Sequence, residues 1–256
     1  MAQLESGKPH SLKEIFCGEN DKIIVPDLQR DYCWGDHIPS NSTETLVSSF
    51  MDSLLKLDRS RDITMGLIYG YYDKELTPNH LQLCDGQQRL TTLFLILGVL
   101  NRKAGDDRYK DILISNFELE EDDKEPHLLY GIRESSLYFL SDLTIYYFLN
   151  SNLSLSDLDK QPWFLNSYNN DPTIISIKCA IETIEAKLAS NDDNEKPDIY
   201  SFGDFLIERL KFLFYDMNNR LNGEETFVVI NTTGEPLTAN PVSYTHLRAH
   251  ETSAHL

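Results

Sequence analysis

Apolar residues recur at helical spacing in two long stretches of the chain. In Thr43–Leu57 they fall at Leu46, Phe50, Leu54 and Leu57, and in Pro172–Ala189 at Ile174, Ile177, Ile181, Ile184 and Leu188. Each set draws one apolar stripe down a helix. Leu90–Asn101 reads as an apolar helix, with Leu93, Phe94 and Leu97 expected to anchor it in the core. Ser11–Phe16 predicts a short helix, with Ser11 and Glu14 spaced as a capping box. Ser135–Asn150 is rich in aromatics and reads as a core helix, and Phe202–Leu210 as another. Strands are expected where β-branched and aromatic residues cluster: Lys22–Val25, Ile63–Tyr72, Leu81–Cys84 and Lys211–Tyr215. The turn LTPNH separates the second from the third and makes that pair antiparallel. Gly223–Ile230 fits either a strand or a helix. Asn116–Glu125, Ser190–Asp198 and Asn231–Pro236 read as loops by their polar and turn-forming residues.

These elements predict an α+β fold: a small mixed sheet, then a mostly helical region. Residues 1–110 are expected to form the sheet-bearing core and 111–241 a mainly helical continuation of the same domain. Val242–Leu256 (VSYTHLRAHETSAHL) extends no amphipathic pattern and resembles translated sequencing-adapter read-through. It is expected to be foreign to the domain. His246 and His250 would share a helix face there, and they are read as accidental rather than as metal ligands.

Composition narrows the function classes. With 41 acidic against 23 basic residues the formal charge is -18. Such a chain repels a phosphate backbone at long range. DNA contact must then come from a local patch, a metal or a partner subunit. The cysteines Cys17, Cys33, Cys84 and Cys179 show no CxxC spacing, as expected for reduced thiols. The N-terminal stretch has no apolar signal core, and the longest apolar run, Leu93–Leu100, is broken by Gly98 and too short to span a bilayer. A cytoplasmic location with no membrane partner is expected.

The strongest chemical feature is Asp85-Gly86-Gln87-Gln88-Arg89, between a predicted strand and a predicted helix. A helix's first-turn amides and its dipole make an anion site. Gly86 permits close backbone approach. Arg89 can fork two hydrogen bonds onto a phosphate. Gln87 and Gln88 can donate to phosphate or position a water. Asp85 can bind Mg²⁺ through one oxygen or orient the attacking water. Thr91 and Thr92 add hydroxyls one turn on. The other reading is an ordinary turn, with Asp85 capping the helix and the next three residues as its polar first turn.

CDGQQRLTTLFLILGVL resembles the signature of the N-terminal domain of GmrSD-type restriction enzymes, a domain related to the ParB/sulfiredoxin fold. Two further segments are similar to the family's, in the same order. In Val25–Trp34 (VPDLQRDYCW), Gln29, Arg30, Tyr32 and Trp34 match, while Leu28 replaces the usual aromatic. In Phe227–Leu237 (FVVINTTGEPL), Phe227, Asn231, Gly234 and Leu237 match, and Thr233 stands where Arg is common. The short strand GLIYG at Gly66–Gly70 also agrees.

The resemblance implies a domain that binds and hydrolyses a nucleoside triphosphate and so licenses restriction of modified foreign DNA, as in phage defence. It implies Asp85, Gln87, Gln88 and Arg89 as catalytic residues. Gly86, Gln29, Arg30, Thr91, Asn231 and Gly234 would be nucleotide-binding residues, with Mg²⁺ as cofactor. Trp34 is expected in the core. Family members often carry a separate C-terminal HNH nuclease domain. His10, His37, His80 and His127 form no such pattern, so the chain is expected to be cut short near Val242 and to need a missing domain or partner subunit for DNA cleavage. Self-association stays open. Two alternatives also stay open: a nucleotide or DNA sensor without turnover, and a ParB-like domain that cuts DNA directly.

Overall fold

The computed structural model describes residues 3–18, 22–27, 29–38, 41–73, 77–115, 124–150, 152–189, 198–219 and 221–223. Among the described residues the centre is a six-stranded mixed sheet. In chain order the strands are β1 (Lys8–Ser11), β2 (Lys22–Val25), β5 (Ile63–Asp73), β6 (Thr77–Asp85), β7 (Leu128–Tyr130) and β8 (Leu210–Asp216), and across the sheet they run β1-β8-β5-β6-β2-β7. The pairs β1/β8 and β5/β6 are antiparallel, and β5/β8, β2/β6 and β2/β7 are parallel. A separate two-stranded pair joins β3 (His37–Ile38) to β4 (Asn41–Thr45). The architecture is α+β, as expected, and the β5/β6 pair is antiparallel, as expected. The late strand β8 does not end the sheet. It inserts between β1 and β5, so the two parts of the chain share one sheet.

The helices are α1 (Leu12–Cys17), α2 (Leu46–Leu55), α3 (Gln87–Ala104), α4 (Lys110–Leu113), α5 (Glu134–Leu143), α6 (Pro172–Leu188) and α7 (Ile199–Glu208). The capping box of α1 forms as read: Glu14 N donates to Ser11 Oγ, and Ser11 N donates to the Glu14 carboxylate. Helix α2 starts three residues later than its apolar pattern suggested, because Thr45 serves both as the end of β4 and as the cap, accepting from Ser48 N. The aromatic helix predicted over Ser135–Asn150 ends at Leu143 and passes into a π-helical turn, Thr144–Phe148.

Helix α3 is the hub. Every residue from Leu90 to Leu100 is buried, and the helix packs against α4, α6, α7 and the π-helical turn. Ile68, Phe212 and Phe214 line the sheet face beneath the helices and are essentially solvent-free. Trp34 is buried and packs edge-on to Phe50, as a core residue. Among the described residues no helix is long and apolar enough to cross a membrane.

Candidate functional site

The signature turn forms where β6 meets α3. Strand β6 ends on Asp85, and Gly86 takes a left-handed conformation (φ 97°) that redirects the chain into the helix. Only glycine adopts this without strain. The site is also tight: a Cβ at Gly86 would lie 3.2 Å from Ile68 Cγ1. The helix begins at Gln87 rather than at Leu90, so Gln87, Gln88 and Arg89 form its first turn. Amides in a first turn have no acceptor inside the helix, and with the dipole they favour an anion. The Asp85 side chain is 31% exposed at this end.

The polar side chains of the turn are buried, and they stitch it to the loop that follows β2. Gln87 Nε2 donates to Arg30 O (2.8 Å), and Gln88 Nε2 donates to Asp31 O (2.7 Å). Gln88 Oε1 accepts from Cys33 N (3.0 Å), so both ends of its amide are engaged. From the loop, Gln29 Nε2 donates to Cys84 O (3.0 Å). The two segments matched by resemblance, about 55 residues apart, are thus one unit. Arg89 reaches back to the sheet. Its Nη2 donates to Leu67 O (2.8 Å) and lies 3.6 Å from Asp85 Oδ2, and its guanidinium sits over the Phe212 ring. Gln87 Oε1 is buried and has no hydrogen-bond partner among the described residues.

Asp31 carries the stitch outward into the helical part. Its carbonyl is held by Gln88, and its carboxylate accepts from Arg133 and from Thr173 Oγ1 at the start of α6 (3.0 Å). Arg133 also reaches Asp171, which caps α6 and accepts from Ser135 and Ser136. The Arg133 hydrogen bonds hold the Asp31 carboxyl below the usual aspartate range. A depressed carboxylate contributes stability that is complete above about pH 5 and is lost as pH falls through its native value. Replacing Asp31 with Asn should therefore lower stability at pH 7, and the gap from wild type should narrow as pH falls below about 4 towards pH 3. Urea titrations at both pH values check this, and a gap of equal size at both would contradict it.

Not every expected site residue converges. Asp85, Gly86, Gln87, Gln88 and Arg89 come together with Gln29 and the backbone of Arg30. Thr91 is fully buried and pairs with the Tyr130 hydroxyl (2.6 Å). Thr92 bonds Gln88 O and the Tyr32 hydroxyl (both 2.8 Å). Burial pushes Tyr32 and Tyr130 well above the ordinary tyrosine range, so both hydroxyls stay protonated. Asn231 and Gly234 lie outside the described residues, as do most of Asn116–Glu125, nearly all of Ser190–Asp198 and the whole of Val242–Leu256. Residue 223 is the last one described. A Cβ on Gly223 would sit 2.6 Å from Cys84 Sγ, so the chain there abuts the strand that ends on Asp85. Sequence reasoning missed Arg133, Asp171 and Thr173. Their places at the starts of α5 and α6 gave no sign of a shared site, since what matters is that both helices begin beside Asp31.

Among the described residues no three His, Cys, Asp or Glu side chains gather as a metal cage. A single part-exposed carboxylate has the chemistry to hold Mg²⁺ where water and phosphate oxygens supply the remaining ligands. Asp85 fits that role. Comparison with family models matches residues 12–241 to the family described as "GmrSD restriction endonuclease, N-terminal domain". Comparison with curated proteins gives no match.

Proposed function

Because this chain belongs to the family of GmrSD restriction endonuclease N-terminal domains, matched over residues 12–241, we propose that it binds and hydrolyses a nucleoside triphosphate at the Asp85–Arg89 turn and thereby controls modification-dependent DNA restriction in the cytoplasm. The observation that carries this is the glutamine stitch. Three buried glutamines fix the end of β6 and the N-terminus of α3 to the Gln29–Cys33 loop. An anion site built this way is preorganised, which is what phosphoryl transfer asks of a protein.

In this reading the first-turn amides of α3 bind phosphate oxygens, and Arg30 adds positive charge from the adjoining loop. Gln87 Oε1, a buried acceptor without a partner among the described residues, would orient a water that enters with the nucleotide. Gln88 and Arg89 act mainly by holding the turn in shape, through Asp31, Cys33 and Leu67. Asp85 would hold Mg²⁺, which when bound offsets charge on the phosphates. The charge of -18 keeps the domain itself off bulk DNA. DNA cleavage therefore falls to a nuclease domain or partner subunit.

A second reading, a nucleotide sensor without turnover, draws on a specific observation. Both ends of the Gln88 amide and Nη2 of Arg89 already serve the fold, so fewer groups remain for chemistry. Phosphate release from ATP, GTP, CTP and UTP with Mg²⁺, beside calorimetric binding, separates the two. Turnover of one or more is expected. Saturable binding without phosphate release would leave the sensor, and neither binding nor release by folded protein would remove both.

A further inference from the structure

The strands beside Asp85 carry a feature that the phosphate chemistry does not use. Asp85 is the cross-strand partner of Tyr69 in the β5/β6 pair, next to a register shift, and Tyr69 is in turn the partner of Tyr215 in the β5/β8 pair. The two tyrosine rings are stacked, with centroids 5.7 Å apart and planes 21° from parallel. They stand on the sheet face opposite Ile68, Phe212 and Phe214, which the helices cover. Tyr215 is 37% exposed. Two strand spacings, roughly 10 Å, separate the backbone of Tyr215 from that of Asp85, a span that an extended nucleoside triphosphate bridges.

We propose that Tyr69 and Tyr215 form an aromatic platform on which the base of the bound nucleotide stacks while its phosphates lie at the Asp85–Gly86 turn. The inference rests on the triphosphate reading of that turn and adds what the turn lacks, a group that recognises the base. A π-face accepts any base, so the platform predicts tighter binding of a nucleotide than of bare polyphosphate. It predicts little discrimination among the four bases from these two residues alone.

The test measures binding of Mg-ATP and of Mg-tripolyphosphate to the full chain and to its Tyr215→Ala, Tyr215→Phe and Tyr69→Leu variants. Folding of each is checked by circular dichroism. Tyr215→Ala should weaken ATP roughly 5- to 150-fold. Tripolyphosphate, which has no base to stack, should bind it as it binds wild type, and Tyr215→Phe should retain ATP affinity. Tyr69→Leu should behave as Tyr215→Ala does and guards against a variant that misfolds. Unchanged ATP affinity in folded Tyr215→Ala, or an equal loss for both ligands, would overturn the platform and leave the phosphate site standing. Failure of the wild type to bind either ligand would instead overturn the triphosphate reading, and the platform with it.

Discussion

Replacing Gly35 with Ala is expected to cost about 4 kcal/mol or more, at the severe end for a single substitution. Gly35 follows the stitched loop and is buried where the chain crosses α6, with its N–H donating to Ser176 Oγ at 3.0 Å. A Cβ there would lie 1.9 Å from Ser176 O and 2.9 Å from Ala180 N. Both are backbone atoms of a regular helix and cannot swing aside. The loop would have to lift off α6, breaking the neighbouring bonds in which Tyr32 N donates to Thr173 Oγ1 and Thr173 Oγ1 donates to Asp31. A loss on that scale corresponds to about 10 °C or more in melting temperature for a chain of this length. Thermal unfolding followed by circular dichroism measures it, and a melting point within about 2 °C of wild type would contradict the packing described. Nucleotide binding should fall with it, because the same loop holds the first turn of α3.

The isosteric change Gln88→Glu should be nearly as damaging, at about 3 kcal/mol. It preserves the shape of the side chain but not its chemistry. A carboxylate can still accept from Cys33 N, but it cannot donate to Asp31 O, and two acceptors then face each other at the 2.7 Å now bridged by a hydrogen. Gln88 is 3% exposed, so water cannot repair the loss. If the carboxyl binds a proton to escape burial, the variant recovers donation and becomes more stable as pH falls, the reverse of the Asp31 trend. Urea unfolding of Gln88→Glu at pH 7 and pH 5 shows this directly. Stability equal to wild type at pH 7 would mean that the stitch is not what holds the turn.

Much of this fold is legible in local patterns. The capping box at Ser11 and Glu14, the strand at Lys22–Val25 and the long helix from Pro172 are all set by residues close in sequence. Strands β1 and β7 escaped notice for a physical reason. Each has three or four residues, and each is a strand only because a distant partner, β8 or β2, lies beside it. Propensity in so short a segment is weaker than its tertiary context. The turn itself was legible as a place, since a strand, a glycine and a helix met there. The burial of its side chains was not. Gln87, Gln88 and Arg89 look like a polar surface turn until the loop from Gln29 to Trp34 folds over them, and no spacing rule shows that pairing. The resemblance to a family supplied both segments in order, and the hydrogen bonds between them supply the reason they occur together.

The most direct test of the central claim compares wild type with Asp85→Asn in Mg²⁺-dependent phosphate release from the triphosphate that turns over best. The Asp85 side chain is 31% exposed, and its nearest cation, Arg89 Nη2 at 3.6 Å, keeps its bond to Leu67 O and can still meet the amide oxygen of Asn. The fold should therefore survive, with a melting temperature within about 5 °C of wild type. Phosphate release should fall about 100-fold or more, as for loss of a group that acts in the transition state. Undiminished release from the folded variant would contradict a hydrolytic site at this turn.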